Sequence, residues 1–382
     1  AEVQASIARL AGEAPSCAKV VFRRGWPLLE VDGSEHPPLL YSPRDIDPET
    51  TEGATLIRQF RDAGYHLYHL GVNLAPAWRG PDHFDFSDWD RLLAKVLALD
   101  PKARIILGIR LDAPDWWLSS HETEWVGYAT GAPRSGDDQI ARVKAGSMAS
   151  EVWMGETEEA FRAGLRHLEL SRCGRRVIGY QPNYGVYCEW HYYGMANDMP
   201  DTGAAMAKKF RAWLRATYRD EASLRASWKN ASADFENAAV PARESRLKTA
   251  RLAFRDPATE DRQTLDYYAC HQRVVADCLL RFCRAVKEET RGRALAGAWY
   301  GYHFGMNFPP EGWHLLLGEV LRSPLIDFLS SPYCYDSNAR AIGGDGRMRT
   351  LGESLRLHGK LHLYEADTRT HLADDDLIQA RT

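Results

Sequence analysis

The chain has 382 residues, a formal net charge of −4, 45% hydrophobic and 26% charged residues. Acidic and basic side chains are mixed along it, so it lacks the basic face that nucleic acids and anionic membranes require. No apolar run approaches the roughly 18 residues of a membrane span. The length fits a single (β/α) barrel with an insertion, and neither nucleic acid nor membrane is expected as a partner.

The aromatic residues and the cysteines indicate which kinds of site the chain can form. The chain has 12 Trp, 17 Tyr and 12 Phe, many of them at the ends of predicted strands, as a site that stacks on flat apolar ligand faces requires. The seven cysteines are scattered without a Cys-x-x-Cys pair, so we expect neither a disulfide framework nor a structural metal site. The chain opens on Ala1 rather than Met. We favour a reduced, cytoplasmic compartment, with secretion as the alternative if the start is processed.

Residues 1–35 form the first predicted unit. A short amphipathic helix is followed by two strand-like pieces at 20–22 and 28–31, a hairpin pattern closed by Asp32-Gly33. We expect this unit to cover the floor of a barrel formed by residues 36–382.

From residue 36 onward the pattern alternates between strand and helix seven times. Strands are predicted at 38–41, 65–72, 104–109, 176–181, 294–299, 326–329 and 361–364, with the fourth breaking at Pro182. A closed (β/α)8 barrel of the TIM type needs an eighth strand, and none is visible before Thr382. The chain therefore looks cut short. An open barrel, the alternative, would leave two unpaired edges.

Residues 195–262 are too long for a loop and carry two helical runs, one with Met206 and Phe210 and one with Leu224 and Trp228. We predict a helical insertion over the barrel mouth, which favours a closed pocket.

Two acids follow predicted strands at positions suited to catalysis. Glu189 comes after the fourth strand in a nest of tyrosines and tryptophans, and Glu365 follows the seventh. In a (β/α) barrel the carboxyl ends of the strands form one face, and strands three apart project across it toward one another. A retaining glycosidase needs two carboxyls about 5 Å apart, one as proton donor and one as nucleophile. Each acid alone is explained as well by a structural salt bridge.

The surroundings predict which acid takes which part. Aromatic, partly desolvated neighbours suit Glu189 as acid/base, because burial favours the protonated carboxyl. Arg369 and the hydroxyl of Tyr333 or Tyr335 would favour the charged form of Glu365, which suits the nucleophile.

Further side chains at strand ends are candidates for binding a sugar or an oligosaccharide. They are Arg110, Asp112, Trp116, Asn183, Trp190, Tyr300, His303, Tyr333 and Tyr335. For each a structural role is the alternative: Arg110 and Asp112 can pair with each other, and a large aromatic at a strand end can belong to the core. Two carboxylates and a water suffice for this chemistry, so no metal and no organic cofactor is expected.

Several segments resemble family 42 glycoside hydrolases, the β-galactosidase-like members of the wider clan A of retaining barrels. The resemblance lies in residues 84–93, 113–117, 210–214 and 223–228, together with the two acids, and spans about residues 36–370. It implies a (β/α)8 barrel, a β-linked glycoside as substrate with a galactoside first, Glu189 as acid/base and Glu365 as nucleophile. Relatives are often trimers, so a homo-oligomer is implied as well.

One position departs from the pattern of the clan. There an Asn directly precedes the acid/base and binds the sugar 2-hydroxyl, whereas this chain has Cys188. Either Asn183 replaces that Asn, or the contact is lost. Two alternatives to the galactosidase hypothesis therefore remain: a sugar-binding barrel without turnover, and a glucan- or mannan-cleaving hydrolase of the same clan.

Overall fold

The computed structural model describes residues 12, 14–37, 39–42, 47–131, 144–248, 254–304, 309–333, 343 and 348–366. In chain order the strands are β1 (Ala18–Arg23), β2 (Trp26–Val31), β3 (Ser34–Glu35), β4 (Leu67–Asn73), β5 (Trp78–Gly80), β6 (His83–Phe84), β7 (Arg104–Arg110), β8 (Val177–Asn183), β9 (Leu295–Trp299), β10 (Phe328–Pro332) and β11 (Leu361–Glu365).

Six of these strands form one curled parallel sheet in the order β11-β10-β9-β8-β7-β4. Helices surround it, which makes the described part of the chain a half-barrel of the (β/α)8 TIM type. The helices are α1 (Thr51–Asp62), α2 (Leu74–Ala77), α3 (Ser87–Leu99), α4 (Asp115–Ser120), α5 (Glu151–Leu170), α6 (Ala204–Thr217), α7 (Glu221–Trp228), α8 (Arg243–Leu247), α9 (Asp261–Glu289), α10 (Leu317–Arg322) and α11 (Gly352–Leu357). None of the described helices is long and apolar enough to cross a membrane.

Two predicted strands were placed wrongly. The predicted first strand, 38–41, is reduced to an isolated bridge between Tyr41 and Tyr68. The fourth strand, β8, runs through Pro182 instead of breaking there. The peptide groups of Asn183 point toward β7, because its carbonyl accepts the N–H of Leu111. Pro182 therefore faces β9, whose pairing with β8 has already ended at Tyr180, and its missing N–H interrupts no ladder bond.

Side-chain caps fix the starts of two helices. The hydroxyl of Thr50 accepts the N–H of Gly53 at 3.0 Å and begins α1. Ser150 accepts the N–H of Trp153 at 2.9 Å, so α5 begins at Glu151, six residues before the predicted start near Thr157.

The N-terminal hairpin packs against the amino ends of the parallel strands. Its apolar side chains form one cluster with the lowest inward-facing residues of the sheet: Ala18, Leu29, Val31, Leu67, Ile106, Ile178, Leu295, Phe328 and Leu361. Burying such side chains contributes roughly 1.5–3 kcal/mol each. The floor of the barrel is therefore filled.

The helices of residues 195–262 pack along α9. The rings of Phe210 and Tyr267 lie edge to face at 5.8 Å, and the indole of Trp228 donates a 2.8 Å hydrogen bond to Asp266. From α8, Arg246 forms a fully buried ion pair with Glu311, in the loop after β9. The insertion is thereby tied to a loop at the carboxyl end of the sheet; its placement over the mouth stays a prediction.

Candidate active site

The parallel register brings polar side chains into rows on the inner face of the sheet. Asn73 on β4 pairs with Arg110 on β7, which pairs with Asn183 on β8. One row deeper, Gly71 pairs with Gly108, so the floor of this region carries no side chains on those two strands. The carboxyl end of the sheet is therefore open between β4 and β8, with polar groups at its rim.

Glu189 lies in a tight loop after β8. An isolated bridge joins Val186 to His191, and the N–H of Glu189 donates a 3.0 Å hydrogen bond to the carbonyl of Val186. Cys188 and Trp190, on either side of Glu189, both have positive φ angles, 67° and 57°. Left-handed non-glycine residues cost free energy and persist where the surroundings over-determine them, so the loop fixes the direction of the Glu189 side chain.

The carboxylate of Glu189 is buried, with 5% of the residue exposed. Its Oε2 lies 3.5 Å from Nε2 of His191. Burial raises the pKa of Tyr302 well above its ordinary value, and the charges of Glu189 and Glu365 raise it further. The charges of both carboxylates thus act on one buried phenol, although the two acids come from strands on opposite sides of β9 and β10.

Glu365 is the last residue of β11 rather than the first residue after it, and it is half-buried. Leu361 and Leu363 of the same strand belong to or pack on the floor cluster. Because side chains two apart on a strand share a face, Glu365 projects toward the inside of the barrel at its carboxyl end.

Arg110 and Asp112 line a cleft of about 220 Å³ together with Asn73, Ala75 and Pro76. The two side chains form an ion pair, and the hydroxyl of Tyr193 joins them, donating to Asp112 at 2.7 Å and accepting from Arg110 at 3.0 Å. Burial lowers the pKa of Arg110, but the electrostatic influence of Tyr193 and the charge of Asp112 outweigh that effect and raise it. The pair is thus the wall of a cleft.

Asn183 is buried, and its Oδ1 has no hydrogen-bond partner among the described residues. Beneath it, Oε1 of Gln181 accepts a 3.1 Å hydrogen bond from Nε2 of His69. An amide oxygen left without a partner in a buried polar row is suited to a ligand hydroxyl or a water.

Three predicted ligand contacts are engaged elsewhere. The ring of Trp190 is 1% exposed and its indole donates to the carbonyl of Pro182 at 3.1 Å. Tyr300 is fully buried. Trp116 packs edge to face on Trp78 at 5.3 Å and donates to its carbonyl. Trp190 and Tyr300 are therefore core residues in this structure, because an aromatic at a strand end packs inward as readily as it lines a mouth.

The remaining candidates lie at the loops after β9 and β10. His303 is exposed and its N–H donates to the carbonyl of Arg349 at 2.8 Å. Tyr333 is buried and bridged to Met348. Tyr335 and Arg369 lie outside the described residues.

The sequence reasoning left out two residues near the acids. Arg349 is buried, and its charge opposes the rise in the pKa of Tyr302; it lies in a segment whose neighbour Thr350 bridges to Tyr302. His314 is fully buried and stacks on His191. Neither residue directly follows a strand, so no local pattern could have identified them. His191 could have been identified, because it lies only two residues after Glu189 in the sequence. Among the described residues, no group of three His, Cys, Asp or Glu is arranged to hold a metal.

No family model matches the sequence, and no curated protein sequence matches it. Among solved structures, the fold is similar to the catalytic domain of β-amylase from Paenibacillus polymyxa, with a TM-score of 0.64 and 14% identity over 87% of this chain and 85% of that one. It is also similar to β-galactosidase from the psychrophilic Marinomonas ef1, with a TM-score of 0.53 and 16% identity over 76% of this chain and 40% of that one.

A β-galactosidase from Bacillus circulans sp. alkalophilus gives a TM-score of 0.52 and 14% identity over 76% of this chain and 38% of that one. The chain thus spans less than half the length of either β-galactosidase. At these identities the likeness concerns the fold. The chain shares the (β/α) barrel architecture of these enzymes.

Proposed function

We propose that the protein is a retaining glycoside hydrolase that cleaves a β-linked glycoside, with a galactoside as the first choice. The observation that supports the proposal is the pair of acids at the carboxyl end of the sheet: Glu189 is buried beside His191, and Glu365 ends β11. The charges of both raise the pKa of the buried Tyr302. Two carboxyls about 5 Å apart are the arrangement that double displacement uses. The shared fold with glycosidases supports the same conclusion.

In this mechanism Glu189 protonates the glycosidic oxygen while the carboxylate of Glu365 attacks the anomeric carbon. The bond to the leaving group breaks and a glycosyl ester on Glu365 forms. Glu189, now ionised, then takes a proton from water, whose oxygen attacks the same carbon and releases the sugar. Tyr302 is placed to hold a hydrogen bond to a carboxylate oxygen in either step.

The polar residues around the open end of the sheet supply the binding contacts in this proposal. Arg110 and Asp112 present donors and acceptors to the 220 Å³ cleft, and Asn183 has an acceptor without a partner in the described part of the chain. Cys188 holds the position that Asn has in the clan, so Asn183 is the candidate for the sugar 2-hydroxyl contact.

The test is turnover of nitrophenyl glycosides by the wild type and by Glu189→Gln and Glu365→Gln. Each substitution should lower kcat by at least about 10³-fold, whereas Glu353→Gln, an exposed acid on α11, should leave it unchanged. Proton NMR of the first-formed product should show the β anomer. Sugar binding without turnover in the wild type would replace the hydrolase by a sugar-binding barrel.

A glucan-cleaving hydrolase is the second candidate, because the β-amylase catalytic domain is the similar structure that covers most of both chains. Turnover of glucan oligosaccharides but not of aryl galactosides would favour it.

A further inference from the structure

The loop that carries Glu189 and the loop that carries Tyr302 are joined by a histidine outside both. His314 is fully buried, shortly after the turn at Pro310–Gly312. Its Nδ1 accepts two consecutive backbone N–H groups, from Gly301 at 3.1 Å and from Tyr302 at 3.3 Å. A neutral imidazole that accepts at Nδ1 carries its proton on Nε2.

The backbone at Gly301 explains why two N–H groups converge there. Gly301 has φ +97°, and a Cβ on it would lie 2.9 Å from both Leu317 and Thr350. In such a turn successive N–H groups point into one concavity, which demands an acceptor. His314 supplies that acceptor.

The other contacts of His314 lead to Glu189. Its ring stacks on that of His191, with centroids 4.4 Å apart and planes within 10°, and Nε2 of His191 lies 3.5 Å from the carboxylate of Glu189. His191 also meets the ring of Tyr302 edge to face at 5.6 Å. The four side chains therefore close a ring of contacts behind the site.

A positive charge on His314 would disrupt these contacts. Burial lowers the pKa of His314 well below its ordinary value, and the nearby His191 lowers it further. Two stacked imidazoles cannot both carry a proton in a water-free site without strong repulsion.

We propose that His314 is a positioning residue, which fixes Glu189 relative to the hydroxyl of Tyr302 through its stack on His191 and its two backbone hydrogen bonds. We call the stack on His191 and the two backbone hydrogen bonds of His314 the clamp. That the clamp supports catalysis rests on the proposed function, whereas the clamp itself does not. Since misplacement of a reacting group by about 1 Å costs about 100-fold in rate, the clamp is needed for kcat rather than for substrate affinity.

Two variants separate the parts of the clamp. His314→Asn keeps an acceptor oxygen near the Nδ1 position and loses the ring, whereas His314→Phe keeps a ring for the stack and loses the acceptor. We expect His314→Phe to lower kcat by about 100-fold while KM stays within threefold of the wild-type value. His314→Asn should retain about a tenth or more of the wild-type kcat. His358→Asn is the matched control, because His358 is an exposed histidine that caps the C-terminal end of α11. Loss of kcat in strict proportion to the fraction of unfolded protein in both variants would overturn the proposal.

A second measurement needs no substrate. In ¹⁵N NMR of the wild type, assigned with these variants, His314 should stay neutral with its proton on Nε2 from pH 8 to pH 5. Amide exchange at Gly301 and Tyr302 should accelerate by at least about tenfold in His314→Phe and less in His314→Asn. Titration of His314 near pH 6.5, or a proton on Nδ1, would overturn the clamp even in an active enzyme. An intact clamp in a protein that cleaves no glycoside would overturn the proposed function alone.

Discussion

The amide nitrogen of Asn183 lies 2.8 Å from the point that a Cβ on Gly108 would occupy. Nε2 of His69 lies 3.3 Å from the same point. Gly108 is thus the space into which two polar side chains from neighbouring strands extend, and the row above it depends on that space.

Gly108→Ala should displace Asn183 and lower the unfolding free energy by about 1–3 kcal/mol, because the added methyl has no room. It should also weaken binding of the substrate. Gly71→Ala is the matched control: Gly71 pairs directly with Gly108 on β4, and a Cβ there meets nothing within 4 Å. Urea denaturation of both variants measures the difference. Equal stability of the two would contradict the account of this row.

Tyr302→Phe should lower kcat by about 10- to 100-fold, because in the proposed mechanism its hydroxyl would donate a hydrogen bond to a carboxylate in each step. Stability should change little, since the ring and its packing remain. Tyr364→Phe, an exposed tyrosine beside Glu365 in the sequence, serves as control. Steady-state kinetics with an aryl glycoside give the comparison, and an unaltered kcat would remove Tyr302 from the mechanism.

Asp112→Asn should leave the buried guanidinium of Arg110 without its counter-charge. We expect the unfolding free energy to fall by about 1–3 kcal/mol and KM to rise. In Asp115→Asn, three residues along the chain and exposed, stability should stay within about 0.5 kcal/mol of the wild type. Thermal melts and KM values test this, and a stable Asp112→Asn would mean that Arg110 has sufficient other partners.

The stability of the fold should decrease as the pH falls below about 6.5. Burial lowers the pKa of His271 to about 3 and that of His362 to about 4, whereas in the unfolded chain histidine titrates near 6.5. Between these values the unfolded state binds more protons, so stability is complete above pH 6.5 and is lost on acidification, by up to about 1.4 kcal/mol per pH unit for each group.

Urea denaturation at pH 7.5, 6.5, 5.5 and 5.0 measures this slope. In His271→Gln the uptake of protons on unfolding should fall by about one, so the unfolding free energy should depend less steeply on pH. This holds whatever the substitution does to stability at pH 7.5. A wild-type stability that does not vary over this range would show that these histidines titrate normally in the folded protein.

The central strands could be predicted because their signal is local. The run at 104–109 is continuously apolar between a polar start and a polar end, and the structure has β7 at Arg104–Arg110. The run at 38–41 is also apolar, but a strand needs a partner along its length, and among the described residues of this run Tyr41 alone makes a bridge to Tyr68. In this run apolar character predicts neither pairing nor burial, since Leu39 is exposed.

The site was predictable only where it follows strands. Glu189 and Glu365 could be proposed from their place after β8 and within β11. His314 could not, because its role depends on a turn at Gly301, thirteen residues earlier, whose N–H groups meet it only in the folded chain. Trp190 shows the opposite limit: its place beside Glu189 in the sequence says nothing about which way its ring packs, and in the structure the ring is buried.

The hairpin of β1 and β2 also limits the directions from which a ligand can reach the candidate site. Between the hairpin and the sheet lies a small cavity of about 30 Å³, lined mostly by apolar side chains such as Leu29 and Phe328. On the described strands the floor is closed by the hairpin, and the carboxyl end is the open one. In the proposed hydrolase, a sugar released through that end would compete directly with incoming substrate.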